Sequence, residues 1–258
     1  MTLDLLVSVL DSEYNATITG RVSGKPRQMR QRFQEALYRT TRVFALPFFR
    51  VLFSMLTRYR VAGQENVPEH GPLLIVANHL SDSDQYLLYI TIKRRMMFMA
   101  KEELFRSPVI RALAMGFGAF PGRQNGVSRK ALVEAYRILD SGLALVMFPE
   151  GARSRDAGLR QALPGTALIA LDKKVPILPV GIAGMEAKWK GIPWAAIHRP
   201  RISINIGRPF YLPDIRHRPT KAELSELADS IMEHIASLLP PEYQGYYTAP
   251  KDDPARPA

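Results

Sequence analysis

Beyond residue 58 the chain alternates short, continuous apolar runs with longer segments of helical period. The runs 72–77 (PLLIVA), 96–100, 144–148 (ALVMF), 177–182 (ILPVGI) and 202–206 (ISINI) are rich in Leu, Ile and Val and carry almost no polar interruption. That pattern predicts strands buried on both faces rather than strands with one wet side. Between them, 81–93, 109–115, 126–141, 164–172 and 220–238 space their apolar residues as helices do. Strands alternating with helices predict an α/β domain over 58–240, with a mixed, mainly parallel sheet flanked by helices. The proline- and charge-rich end, 241–258, reads as a tail that frays.

Upstream the character changes. Residues 1–28 are polar, and 15–28 (NATITGRVSGKPRQ) read as a linker. Met1 is followed by Asp4 rather than by a basic stretch, and no small-residue cleavage site follows a hydrophobic run, so no secretory signal is read. Residues 29–57 read as helix with a break at Pro47. They contain the apolar run 43–56 (VFALPFFRVLFSML), which has four phenylalanines and is interrupted by Arg50. A membrane-spanning helix needs roughly 20 apolar residues. The run is shorter, and it predicts an interfacial segment that lays aromatics into the headgroup zone with arginines facing lipid phosphate.

Charge sharpens this reading. The formal net charge is +11, and the segment 21–60 holds ten arginines and lysines against the single acid Glu35. A basic excess fits nucleic acid or an anionic membrane. Here it is interleaved with phenylalanine and leucine, and no nucleic-acid-binding signature appears, so an anionic phospholipid surface is the expected partner and nucleic acid is not. The chain has no cysteine, which excludes disulfides, a thiolate nucleophile and thiolate metal sites, and suits a cytoplasmic setting. His70, His198, His217 and His234 show no metal-ligand spacing, so no metal is expected.

Two blocks carry the candidate chemistry. Asn78-His79-Leu80-Ser81-Asp82-Ser83-Asp84 follows the run 72–77, where open α/β sheets collect their sites. A histidine backed by a carboxylate serves as a general base, and it needs no protein nucleophile if the substrate's own hydroxyl attacks. The same residues also make a capping box, with Ser81 as N-cap and Asp84 at the third helical position. Phe148-Pro149-Glu150-Gly151-Ala152-Arg153-Ser154-Arg155 follows the run 144–148 in the corresponding place. Its proline and glycine force a turn that presents Glu150 and two arginines, and guanidinium groups suit phosphate. Two weaker blocks are the glycine-rich stretch 116–123 ending in Arg123, read as a loop that presents a cation, and the proline-bracketed strand 175–181.

The four blocks, in this order and spacing, resemble the glycerolipid acyltransferases, specifically the 1-acylglycerol-3-phosphate acyltransferase group. That family places an aspartate five residues after a histidine, then a glycine- and arginine-containing block, a Phe-Pro-Glu-Gly block with a following arginine, and a Val-Pro-Ile-Pro-Val-like strand. Lys101-Glu102-Glu103-Leu104 with Pro108 resembles the family's link between the first two blocks. The resemblance runs from about 58 to about 210. It departs at Ala152, where the family commonly has threonine, at Arg123, which stands slightly early with Arg129 as an alternative, and at the inserted Leu178.

The resemblance implies transfer of a fatty acyl group from a thioester donor, acyl-coenzyme A or acyl carrier protein, with no cofactor and no covalent acyl-enzyme. His79 would act as general base and Asp84 would orient it. Arg123, Glu150, Gly151 and Arg153 would hold a glycerol phosphate. The expected acceptor is lysophosphatidic acid, with glycerol 3-phosphate, another lyso-lipid, or a catalytically silent lipid-binding member as alternatives. The expected location is the cytoplasmic face of a membrane, peripheral or monotopic. A serine hydrolase would need a Gly-x-Ser-x-Gly elbow, and the chain has none.

Overall fold

The computed structural model describes residues 35–122, 129–154, 156–186 and 192–248. Seven strands form one sheet in the order β1-β7-β6-β2-β5-β3-β4. They are β1 (Arg58–Ala62), β2 (Leu73–Ala77), β3 (Met96–Lys101), β4 (Ala119–Gly122), β5 (Ala144–Met147), β6 (Ile177–Ala183) and β7 (Arg201–Ile206). Every neighbouring pair is parallel except β6 and β7. The helices are α1 (Leu46–Leu56), α2 (Asp84–Thr91), α3 (Pro108–Gly116), α4 (Arg129–Asp140), α5 (Gly165–Lys173), α6 (Ile192–His198) and α7 (Lys221–Ala236). The mixed, mainly parallel α/β sheet is the one the apolar pattern predicts.

The continuous apolar runs are explained by two cores, one on each face. Successive residues of a strand point to opposite sides. On β2, Leu73, Ile75 and Ala77 face a core shared with Leu87 and Leu88 of α2 and Ala114 of α3. Leu74 and Val76 face the other core, with Ile138 of α4, Ile169 of α5 and Ile231 of α7. A strand covered on both sides has no place for a polar residue, and all five residues of β2 are buried.

Three elements differ from the sequence reading. The stretch 116–123, read as a loop, contains the edge strand β4, paired with β3. Pro121 is tolerated there because an edge strand leaves one side without a ladder partner. Strand β1 alternates arginines with half-buried residues at the opposite edge. The residues from Pro240 to Thr248 do not fray: Tyr247 is buried, donates its hydroxyl hydrogen to Asp229 Oδ1 at 2.6 Å and accepts from Ala162 N at 3.0 Å. The expectations for residues 1–34 and 249–258 lie outside the described residues.

The N-terminal helical segment also resolves differently at Pro47. Residues 41–45 form a π-helix, with Leu46 N–H donating to the Thr41 carbonyl, and α1 follows with Pro47 in its first turn. The wider π turn accommodates a proline that lacks its own N–H, so the helical path continues through it. Leu46, Phe49 and Phe53 pack against the domain core. Phe44, Phe48, Val51 and Met55, spaced one or two turns apart, remain exposed. Arg50 turns inward, and its Nε donates to the Ile90 carbonyl at 2.7 Å, close to the C-terminal end of α2, where a cation is favoured.

The ends of β2 and β6 are joined by Asn78, which is buried. Its Nδ2 donates to the Ile182 carbonyl at 2.8 Å and its Oδ1 accepts from Ile182 N at 2.7 Å. Asn78→Ala leaves both backbone groups of Ile182 buried without a partner. It should destabilise the fold by on the order of 3 kcal/mol, read as a shift in the urea midpoint with unchanged slope.

Candidate active site

Strands β2, β5, β3 and β4 are adjacent and parallel, so their carboxyl ends open at one edge of the sheet. His79 lies two residues past β2, the turn Phe148–Gly151 follows β5, and Lys101 is the last residue of β3. The two candidate blocks, about seventy residues apart in sequence, therefore meet because β2 and β5 are neighbours.

Asp84 opens α2 with no exposed side-chain surface, and its Oδ2 gathers three donors. His79 Nδ1 lies at 2.9 Å, Leu80 N at 2.6 Å and Ser81 N at 2.7 Å. The capping box expected from the sequence is not formed as read, because Ser83 rather than Ser81 precedes the helix, without a side-chain cap, and Asp84 is its first residue; one Asp84 oxygen instead closes the turn and grips the imidazole. Burial pushes its carboxyl pKa up, and the bonds from His79, Ser81 and Leu80 oppose that shift. An oxygen already accepting two backbone N–H groups takes a third hydrogen from Nδ1, which leaves Nε2 of His79 as the basic nitrogen. The ring is held from its flat side too, stacked on Phe148 at 4.1 Å between centroids.

The backbone of His79 is pinned as firmly as its ring. Its N–H donates to Glu150 Oε1 at 2.8 Å, and its carbonyl accepts from Ser154 N at 2.8 Å. The other Glu150 oxygen accepts from Arg160 N at 3.0 Å. Glu150 is buried and its oxygens accept from backbone donors, so it lies beneath His79 rather than in contact with solvent. Burial pushes its pKa up to about 7, against the two N–H donors that favour the carboxylate. Gly151 has φ +69, and a Cβ there would stand 2.3 Å from Leu163 Cδ1. The left-handed backbone favours glycine here, and a Cβ would displace the Leu163 side chain.

Arg153 is half exposed, with Nη1 3.0 Å from Asp82 Oδ2. Lys101 Nζ lies 3.6 Å from Asp82 Oδ1. Arg123 and Arg155 lie outside the described residues, as does the side chain of Arg129. The residues that sequence reasoning did not assign are Phe148, Ser154, Arg160, Asp82 and Lys101. Phe148, Ser154, Asp82 and Lys101 sat inside blocks already noted. Arg160 contributes only its backbone N–H, which has no side-chain signal.

An apolar cavity of about 180 Å³ adjoins His79. His79 and Lys101 line it together with Met99, Phe120, Leu132 and Ile169, so it runs between β3 and β5 on one side and α4 and α5 on the other. A hydrogen-bonded imidazole, two partly exposed cations and an apolar slot thus share one edge of the sheet.

A family model described as Acyltransferase matches residues 58–183, which span β1 to β6 and contain both blocks. The 1-acyl-sn-glycerol-3-phosphate acyltransferase of Bacillus subtilis is 24% identical over 76% of this chain and 95% of its own length. That of Streptococcus pneumoniae is 31% identical over 66% of this chain, which spans 59% of that relative. The crystal structure of the 1-acyl-sn-glycerophosphate acyltransferase of Thermotoga maritima shares the fold, with a TM-score of 0.54 at 20% identity, covering 91% of this chain and 96% of that one. Residues 58–183 thus match the acyltransferase family, and the chain is similar to 1-acyl-sn-glycerol-3-phosphate acyltransferases.

Proposed function

We propose that this chain moves a fatty acyl group from a thioester donor to the free hydroxyl of a lysophosphatidic acid-type acceptor, with His79 as general base. The observation that carries the reading is the Asp84 Oδ2–His79 Nδ1 bond of 2.9 Å beside an apolar cavity. With Nδ1–H donated to the carboxylate, Nε2 takes the acceptor's hydroxyl proton as that oxygen attacks the thioester carbonyl. A C–O bond forms, the tetrahedral intermediate collapses, the C–S bond breaks, and the proton on Nε2 passes to the departing thiolate. The cavity receives the acyl chain. Lys101 and Arg153 meet the acceptor's phosphate, Arg153 offering a planar guanidinium and Lys101 a point charge. Arg123 is a further candidate for that phosphate, and Gly151 keeps the approach to it clear. Glu150 acts through the backbone of His79 as a positioning residue. Acyl-coenzyme A and acyl carrier protein are both suitable donors, and no cofactor enters this mechanism.

The N-terminal helical segment supports action at the cytoplasmic face of an anionic membrane. Among the described residues no helix is long and apolar enough to cross a bilayer. The outer stripe Phe44, Phe48, Val51 and Met55 is exposed, and α6, which packs against α1, adds the exposed Ile197. Such a face lies in the interface plane, with acceptor and product in the adjoining leaflet. Phe44→Asp with Phe48→Asp should weaken binding to anionic liposomes about tenfold or more, while the melting temperature stays put because both side chains are already exposed. Unchanged liposome binding would remove this stripe from the docking surface.

The function is tested by thiol release from palmitoyl-coenzyme A or palmitoyl-acyl carrier protein, with and without lysophosphatidic acid. Acceptor-dependent release is expected, falling about 10²–10⁴-fold in a folded His79→Ala protein. Release only with glycerol 3-phosphate would move the acceptor to that alternative. Lipid binding without release would make the chain a silent member of the family.

The buried Glu150 gives a separate expectation. Its folded pKa of about 7 lies above its ordinary value of 4.5, so the folded protein binds more protons than the unfolded one between those limits. The contribution of Glu150 to stability is therefore present at acid pH and is lost as pH rises toward 7. Glu150→Gln should flatten that part of the stability–pH curve. It should also lower turnover more than it raises acceptor KM, because it disturbs the base and leaves the phosphate contacts in place.

A further inference from the structure

Asp82 lies three residues after His79 and has no part in the chemistry above. Its side chain is 55% exposed, so no requirement of the core explains its placement. Its two carboxylate oxygens each face one cation, Arg153 Nη1 at 3.0 Å and Lys101 Nζ at 3.6 Å. Those cations come from different strand ends, Lys101 closing β3 and Arg153 lying past β5. Their side chains are 34% and 49% exposed, so a ligand reaches both. A guanidinium and an ammonium converging on one oxyanion is an arrangement suited to phosphate. The oxyanion that occupies it in the free protein is the protein's own carboxylate, held by solvent-screened ion pairs that contribute little to stability and exchange readily.

We propose that Asp82 is a displaceable internal anion that fills the phosphate clamp between turnovers and gives way to a phosphomonoester. The inference rests on the reading of Lys101 and Arg153 as that clamp, and it deepens it. A phosphomonoester carries close to two negative charges near neutral pH and outcompetes a single carboxylate for the two cations. The displaced carboxylate stays nearby and repels the bound phosphate. Acceptor and product carry the same phosphate group, so two unopposed cations would retain the product as firmly as they capture the acceptor. Asp82 weakens both and sets the clamp toward release. Such uniform binding energy adds nothing to turnover once the acceptor saturates the site.

This gives the substitution Asp82→Asn a definite sign. Binding of glycerol 3-phosphate to the full chain, measured by calorimetry without any acyl donor, should tighten about fivefold, the factor one unit charge contributes at contact distance in water. In the acylation assay the KM for lysophosphatidic acid and the inhibition constant of phosphatidic acid should fall by a similar factor. Asp82→Glu, which keeps the charge, should return both towards the native values. A purely structural role would lower the melting temperature without tightening any anion. Unchanged or weaker glycerol 3-phosphate binding in a folded Asp82→Asn protein overturns the proposal, as does a native chain that binds no glycerol 3-phosphate. If the native chain binds glycerol 3-phosphate yet acylates no lyso-lipid, the proposed function fails. The role of Asp82 is then still decided by the binding comparison alone.

Discussion

Three hydrogen bonds to one buried oxygen organise this site. Asp84 Oδ2 holds the imidazole of His79 and the two backbone N–H groups that follow it. A carboxylate without exposed surface needs such donors, because an uncompensated buried charge is strongly unfavourable. The need runs in both directions. The turn requires an acceptor for its N–H groups, the aspartate requires donors, and the histidine requires a partner that fixes its tautomer. The six residues from His79 to Asp84 answer all three through Oδ2, in the turn that leads into one helix. The short local fold and the held imidazole are therefore one construction.

That construction is useful because of where the sheet places it. Strand β2 lies between β5 and β6, buried on both faces, and its carboxyl end is the natural place for a loop that bears chemistry. On one side Asn78 ties β2 to Ile182 of β6. On the other, the turn after β5 supplies Phe148 against the ring and Glu150 beneath the backbone. The support continues outward. Glu150 bonds Arg160 N, the neighbouring Leu159 exchanges backbone hydrogen bonds with Tyr243 and Tyr246, and Tyr247 bonds Ala162 N. The C-terminal residues thus brace the loop that braces His79.

Much of this was legible in the sequence, for definable reasons. Doubly covered strands leave continuous apolar runs, so β2, β5, β6 and the mainly parallel sheet could be read directly. His79 and Asp84 were legible because their pairing is local in sequence. The edge strands were not. Arg58–Ala62 mixes charge with half-buried residues, and Ala119–Gly122 contains a proline, as edge strands can. Glu150 was visible as a residue but not as a role, because its partners are backbone N–H groups that carry no side-chain signal. Arg50 turned inward for a similar reason, since a helix-end carbonyl is invisible in a sequence. The tail was read from its prolines, whereas its tyrosines decide its packing.

The account depends on His79 being held as the Nδ1–H tautomer with Nε2 free. Nitrogen-15 NMR of histidine-labelled protein, with the His79 signals assigned by their loss in His79→Ala, reads that state directly. At neutral pH the account expects a protonated Nδ1 and an unprotonated Nε2 in the native protein, with this preference weakened in Asp84→Asn. A native His79 carrying its proton on Nε2 would contradict it, because the nitrogen turned away from Asp84 would then have no lone pair with which to take the acceptor's proton.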